Sequence, residues 1–133
     1  SLRLALRLDR FAGELGRRLP VLLEVNVSGE ESKFGWDAQS AAGRASFVAE
    51  AQTLAALTHL EVRGLMTMAP LAADAEETRP VFCALRAFRD ELRIAAPFSP
   101  WDTLSMGMTN DYPVAIEEGA TLVRIGRAIF EGA

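Results

Sequence analysis

The carboxyl-terminal stretch Leu104–Gly132, LSMGMTNDYPVAIEEGATLVRIGRAIFEG, contains two glycine-bearing turns, each of which follows a strand-like apolar segment. The first turn carries Ser105 and Gly107, and the second carries Gly126 and Arg127. Glycine lets a ligand approach the backbone, and amide groups at a helix start offer free N–H donors and a positive dipole end. The pattern indicates a phosphate-type anion site, the alternative being that the glycines only form turns.

Arg124 stands inside LVRIG, an otherwise apolar strand-like segment. A guanidinium is costly to bury without a partner, so its position requires an explanation. One interpretation is an internal ion pair. The other is that Arg124 faces the ligand end of the strand, where it holds an anion or donates to an acceptor nitrogen.

Three other reactive side chains carry weaker signals. Lys33, the only lysine, lies in the polar segment SGEESKFGW and invites a Schiff-base interpretation, but a solvated or ion-paired loop lysine is favoured. Cys83, in the helical pattern VFCALRAF, is expected to be a small core residue, and His59 is expected to be structural. No spacing typical of metal ligands occurs, so no metal site is predicted.

The composition is that of one soluble globular unit. The 133 residues include 50% hydrophobic residues, and the formal net charge is -4. The acidic balance argues against binding to nucleic acid or to an anionic membrane surface. No apolar run is long enough to span a bilayer, and a cytoplasmic location is predicted.

Helical and strand-like segments alternate along the whole chain. The strand-like segments are apolar throughout rather than alternating, which predicts a parallel sheet covered by helices. We expect Pro20 to end the first helix and Asp37 to cap the second. The predicted order is α-βα-βα-βα-β(α), with helices over Leu2–Leu19, 38–57 and 75–95 and from Thr109 or Asn110 to Gly119, and strands within 21–27, 62–70, 102–108 and 121–126.

A parallel sheet of this kind binds its ligand at the carboxyl ends of the strands. Topology alone therefore predicts that the residues ending each strand surround one site. These residues are Asn26 and Ser28, Met66 and Thr67, Ser105 and Gly107, and Arg124 and Gly126.

The motifs VNVSGEESKFGW, VRGLMTMAP and Leu104–Gly132, in this order, resemble the pyridoxal phosphate homeostasis protein family, the YggS/PROSC group. The resemblance covers essentially all 133 residues. It implies an α/β fold, a TIM-type (β/α)8 barrel of the alanine racemase N-terminal domain type. Residues 1–133 would form its carboxyl-terminal half, covering about strands five to eight with their helices.

The resemblance also implies a function, a non-catalytic protein that binds pyridoxal 5′-phosphate and takes part in its intracellular homeostasis. Two alternatives stay open: a pyridoxal phosphate enzyme of the alanine racemase or decarboxylase type, and a half barrel that binds another phosphorylated metabolite. By motif, Ser105, Gly126 and Arg127 match phosphate-binding positions and Arg124 matches the arginine that faces the pyridine nitrogen. The predicted cofactor-binding set is completed by Met66, Asn26 and Gly107.

The covalent anchor is expected elsewhere. In the family that this chain resembles, the Schiff-base lysine ends the first barrel strand, which would lie in the missing amino-terminal half. Lys33 matches a different family lysine. A half barrel leaves its outer strand edges unpaired, so we expect either self-association or pairing with the missing half.

Overall fold

A computed structural model describes residues 1–30 and 34–131 of the chain. The described residues form a five-stranded sheet in the order β2-β1-β3-β4-β5, and every neighbouring pair of strands is parallel. The strands are β1 (Leu19–Asn26), β2 (Trp36–Asp37), β3 (Leu60–Met66), β4 (Thr103–Met108) and β5 (Leu122–Arg124). The α-helices are α1 (Leu2–Glu14), α2 (Ala41–Ala55), α3 (Arg79–Ala95), α4 (Tyr112–Glu117) and α5 (Arg127–Phe130), and a 3₁₀ turn (Ala75–Thr78) precedes α3.

The first helix ends earlier than the sequence predicted. It ends at Glu14 rather than Leu19, because Gly16 adopts a left-handed φ of +61° and the Arg17 amide turns back to the Ala12 carbonyl at 2.9 Å. Pro20 therefore does not end a helix and lies within β1. The chain reverses at the glycine and enters the sheet.

The cap of the second helix was also predicted wrongly. Ser40, rather than Asp37, is the residue at the start of α2, where its hydroxyl accepts a hydrogen bond from the Gly43 amide at 2.9 Å. Asp37 belongs to the short strand β2, which the sequence did not reveal. Its carboxylate accepts hydrogen bonds from the Ser40 hydroxyl and from nearby backbone amides, and these lower the pKa of Asp37.

One face of the sheet forms the hydrophobic core. Leu23, Leu65 and Leu104 stand in register on three adjacent strands, and each is almost completely buried. Phe47 of α2 and Phe88 of α3 belong to the same core, with ring centroids 5.3 Å apart at 74°. Helices α2 and α3 thus close this face of the sheet.

The opposite face of the sheet has the alternate side chains of the same strands. Glu24, Met66 and Ser105 stand in register across β1, β3 and β4. Glu24 and Met66 are only half-buried. Within the described residues this second face is therefore less covered than the first at β1 and β3, and Met66 and Ser105 of the predicted site lie on it.

Candidate functional site

The carboxyl ends of β3, β4 and β5 bring several of the predicted site residues together. Met66 pairs with Ser105, and Met108 pairs with Arg124 after a shift in register. Because all the strands run in the same direction, their carboxyl ends meet at one edge of the sheet. The grouping of these strand ends follows the topology that the sequence predicted.

Arg124 is the centre of this cluster. Its Nη1 donates to the Ser105 hydroxyl at 2.7 Å, and its Nη2 donates to the Thr67 carbonyl at 3.0 Å. Burial lowers the pKa of Arg124, and the negative charges of Asp111 and Glu24 act against that shift. Arg124 forms no salt bridge with the described residues, which leaves the ligand-facing interpretation of this arginine in place.

A cavity of about 360 Å³ opens beside Arg124. Its walls are the loop that follows β3 and the first residues after β4 and β5. Gly126 and Arg127 line it together with Arg124, so two cationic side chains and the second glycine-bearing turn share one cavity. The other lining residues are 68–72, Ala75, Thr78, Met108, Thr109, Asn110 and Asp111.

The two predicted turn glycines differ in whether the backbone conformation and the packing require a glycine. Gly107 has a φ of +88°, and a Cβ added there would lie 2.5 Å from the Ala115 Cβ, so the turn itself requires it. A Cβ added at Gly126 would meet nothing within 4 Å, and its φ is -122°. Neither conformation nor packing in the described chain explains Gly126.

The amide groups of the second turn are available as donors. Gly126 precedes α5 and Arg127 is its first residue, so neither amide has an acceptor within the helix. Elsewhere in residues 1–30 and 34–131, neither amide donates to another group. Two adjacent N–H donors therefore stand at the wall of the cavity, beside the open space at Gly126.

The two hydroxyls nearest the cavity have different surroundings. Ser105 is 2% exposed and lines neither this cavity nor a second one beside α1, but its hydroxyl accepts from Arg124 and can still donate its own proton. Thr109, which the sequence marked only as a helix start, lines the cavity directly. Its Oγ1 lies 3.5 Å from the Ala128 amide nitrogen and so links the two glycine-bearing turns.

Asp111 is a further residue that the sequence did not indicate. It is 7% exposed, and its Oδ1 accepts a hydrogen bond from the Met108 amide at 2.7 Å, which shapes the turn after β4. The available signal was its place two residues before Pro113, where an acidic residue is typical of an ordinary helix cap. Its charge near Arg124 depends on tertiary packing and has no signature in the sequence.

Four of the seven predicted cofactor-binding residues do not line this cavity: Ser105, Gly107, Met66 and Asn26. Met66 lines a second cavity of about 650 Å³ between α1 and β1. The Asn26 side chain is engaged in its own loop, because its Oδ1 accepts from the Ser28 and Gly29 amides and its Nδ2 donates to the Glu30 carbonyl at 2.8 Å. A direct contact of Asn26 with a ligand stays a prediction, and Lys33 lies outside the described residues.

A charged cluster fixes the helices that stand behind the cavity. Arg79, at the start of α3, binds the Glu118 carboxylate at 2.7 Å and the Glu117 carboxylate at 2.6 Å. The Cys83 thiol donates to Glu118 at 3.0 Å. This hydrogen bond raises the pKa of Cys83, so the thiol stays protonated and is a poor nucleophile. Among the described residues, no group of His, Cys, Asp and Glu side chains is arranged to hold a metal ion.

The family model of the alanine racemase N-terminal domain matches residues 1–133. The chain belongs to this family. Pyridoxal phosphate homeostasis proteins are among its relatives, which confirms the resemblance noted in the sequence. The Aquifex aeolicus protein is 44% identical over 114 residues (83% of this chain and 45% of the relative), and the Pasteurella multocida protein is 35% identical over 128 residues (96% and 52%).

Solved structures also show similarity to this chain. PipY of Synechococcus elongatus without pyridoxal phosphate has a TM-score of 0.86 and 43% identity, covering 98% of this chain and 58% of PipY. PipY with pyridoxal phosphate bound has a TM-score of 0.85 and 42% identity, covering 98% and 57%. An alanine racemase of Clostridium difficile, 15% identical with a TM-score of 0.67, shares the fold.

The chain spans about half the length of the curated relatives it matches. Its described residues have the α/β fold with a parallel sheet that the alanine racemase N-terminal domain implies. None of the helices in residues 1–30 and 34–131 has the length and apolar character needed to cross a bilayer.

Proposed function

We propose that residues 1–133 are the carboxyl-terminal half of a TIM-type barrel domain, about strands five to eight with their helices. The sequential parallel order β1-β3-β4-β5 supports this, as does the half-covered face of the sheet. The outer edge of β1 pairs with β2 at only two residues, Val25 and Asn26. Such an edge accepts another strand, so the chain self-associates or pairs with the rest of the barrel.

Sedimentation of the 14.4 kDa chain tests this part of the proposal. A species larger than one chain, or assembly on addition of a separately produced amino-terminal half of a relative, is the expected result. A stable monomer that does not bind the added half would contradict this part of the proposal.

We propose further that the chain binds pyridoxal 5′-phosphate and serves its homeostasis as a cofactor carrier or regulator. The observation that carries this proposal is the pair formed by Arg124 and Ser105 beside the open turn at Gly126. A planar cation and two amide donors that have no acceptor among residues 1–30 and 34–131 are arranged at one edge of the sheet. The names of the relatives, and the PipY structure with pyridoxal phosphate bound, support the same ligand.

The residues fit this cofactor. The amides of Gly126 and Arg127 would hold the phosphate, with a hydroxyl from Ser105 or Thr109, and the open space at Gly126 admits a bulky group close to the backbone. The Arg124 guanidinium would donate to the pyridine nitrogen. When bound, pyridoxal phosphate supplies an aldehyde that reacts with amines and a ring that can withdraw electrons.

Arg124 favours carriage of the cofactor over catalysis with it. A guanidinium cannot accept a proton and is permanently charged, so it favours an unprotonated ring nitrogen. An unprotonated ring withdraws electrons weakly, which disfavours reactions that need a strongly stabilised carbanion, such as transamination. Turnover of D- or L-alanine would support the enzyme alternative instead.

Calorimetric titration with pyridoxal phosphate tests the ligand. We expect saturable binding that inorganic phosphate competes with. We expect Arg124→Gln to weaken this binding about tenfold to a hundredfold, the loss typical of a charge-assisted hydrogen bond. Arg93→Gln is the control, because Arg93 pairs with Asp102 on the protein surface.

Three results separate the alternatives. Equal affinity for wild type and Arg124→Gln would contradict the ring-nitrogen contact. Affinity for inorganic phosphate as high as for pyridoxal phosphate would favour another phosphorylated metabolite. Absence of binding of either ligand by the chain, with or without the amino-terminal half of a relative, would contradict the proposed site.

A further inference from the structure

Thr67, directly after β3, joins three strands at the ligand edge of the sheet. It is 2% exposed, and its hydroxyl donates to the Val25 carbonyl of β1 at 2.9 Å. Its amide donates to the Ser105 carbonyl of β4 at 3.1 Å. Its own carbonyl accepts from Arg124 of β5 at 3.0 Å. Each polar group of this one buried residue therefore binds a different strand.

The Arg124 guanidinium is oriented by two acceptors on different strands. The Ser105 hydroxyl holds Nη1, and the Thr67 carbonyl holds Nη2. Because the guanidinium is planar, acceptors on both terminal nitrogens define the direction in which its remaining N–H groups point. In the described part of the chain, Asp111 and Glu24 act on Arg124 through their charge without forming a salt bridge to it.

Thr67 is separate from the proposed phosphate contacts. It lines neither the cavity beside Gly126 nor the cavity beside α1. The Thr67 hydroxyl instead holds the backbone of Thr67 in place, and the carbonyl of that backbone accepts the hydrogen bond from Arg124. A change at this hydroxyl would therefore act on a ligand indirectly, through Arg124 or through the Ser105 backbone that the Thr67 amide binds.

We propose that Thr67 is a positioning residue, which orients Arg124 toward the ring nitrogen of the bound cofactor. The hydroxyl bond from Thr67 to Val25 keeps the Thr67 carbonyl in place, and that carbonyl keeps Arg124 in place. This inference rests on the proposed function for the identity of the ligand, but the orientation of Arg124 can be measured without any ligand.

The first experiment measures the rotation of the Arg124 guanidinium by NMR in the ligand-free chain, with the signal assigned by its loss in Arg124→Gln. Thr67→Val keeps the shape of the side chain and removes the hydroxyl, whereas Thr67→Ser retains the hydroxyl. We expect hindered rotation in wild type and Thr67→Ser, and faster rotation in Thr67→Val. Free rotation in wild type, or no change in Thr67→Val, would overturn the proposal.

A matched control removes a buried hydroxyl at the other end of the sheet. The Ser99 hydroxyl donates to the Val62 carbonyl at 2.7 Å, and Ser99 is 6% exposed. Ser99→Ala therefore loses a similar hydrogen bond, together with the one that its hydroxyl accepts from the Trp101 amide, without a contact to Arg124. We expect it to leave the rotation of Arg124 unchanged, and an effect equal to that of Thr67→Val would reduce the role of Thr67 to general stability.

The second experiment compares pyridoxal phosphate with an analogue in which carbon replaces the ring nitrogen. We expect Thr67→Val to weaken pyridoxal phosphate binding about threefold to tenfold, as for one impaired hydrogen bond, and Thr67→Ser to restore it. The analogue should bind wild type and Thr67→Val equally. Equal losses for both ligands would contradict a route through the ring nitrogen. If wild type binds neither ligand, the proposed function fails, and the NMR result still decides the role of Thr67.

Discussion

The two ends of the parallel sheet differ in their side chains and in how deeply these are buried. At the amino end, Trp101 is completely buried, its indole donates to the Ala96 carbonyl at 2.8 Å, and its ring packs against Phe98. At the carboxyl end, Arg124 is half-buried beside an open cavity and binds polar groups. The difference is the one expected if the amino end stabilises the fold and if, as we propose, the ligand binds at the carboxyl end.

The largest effect is expected at the amino end. Trp101→Ala should lower the free energy of unfolding by about 3–5 kcal/mol, because it leaves a large cavity in the core. Trp36→Ala, at a half-buried position, is the smaller-effect control. Urea denaturation measures both variants. The comparison of the two ends would be wrong if Trp101→Ala, at a temperature where it is folded, had lost affinity for pyridoxal phosphate.

The next effect is expected at the carboxyl end, without loss of stability. Gly126→Ala should fold normally, since its Cβ meets no atom of the described chain within 4 Å, yet it should weaken pyridoxal phosphate binding about tenfold by crowding the phosphate. Gly64→Ala is the contrasting variant, because its Cβ would clash with the Thr103 carbonyl oxygen. Thermal denaturation and calorimetry measure the pair. Unchanged affinity for pyridoxal phosphate in Gly126→Ala would contradict the proposal that the phosphate binds at this turn.

A comparable effect distinguishes the two hydroxyls at the site. Removal of the hydroxyl that binds the phosphate should weaken inorganic phosphate binding about tenfold, the lower end of what a hydrogen bond to a charged group contributes. The sequence predicts this loss for Ser105→Ala, whereas the cavity lining makes Thr109→Val the competing candidate. Titration of both variants with phosphate decides between them. A loss in Thr109→Val alone would transfer the predicted role from Ser105 to Thr109.

The smallest effect is a pH dependence behind the cavity. Hydrogen bonds from Cys83 and Arg79 hold the pKa of Glu118 below its ordinary value of 4.5. Because the folded-state pKa is lowered, the stabilisation is present above pH 4.5 and is lost as the pH falls through the folded value. Glu118→Gln should therefore flatten the decline in stability below pH 4.5, unlike the surface variant Glu14→Gln. Identical acid denaturation of wild type and Glu118→Gln would contradict this coupling.

Much of the fold could be predicted because apolar periodicity is local information. The alternation of helices and strands, the parallel sheet and the meeting of strand ends all follow from it. The errors arise where two neighbouring residues could each end or cap the same helix. The left-handed Gly16 ends α1 before Pro20, and Ser40 rather than Asp37 caps α2. The strand β2 has only two residues and leaves no periodic pattern.

The site was predicted less completely, because its contacts depend on residues that are distant in sequence. Arg124 stood out as a charge in an apolar strand, but its acceptors at Ser105 and Thr67 are contributed by other strands. Asp111 and Thr109 resembled ordinary residues of a helix start. The predicted cofactor roles of Asn26, Met66 and Gly107 stay predictions.

The most direct test of the account is a crystal structure of the chain with pyridoxal phosphate. We expect the phosphate within hydrogen-bond distance of the amide nitrogens of Gly126 and Arg127, and the pyridine nitrogen opposite the Arg124 guanidinium. Cofactor density in the cavity between α1 and β1, or attached to Lys33 with the turn at Gly126 empty, would contradict the account.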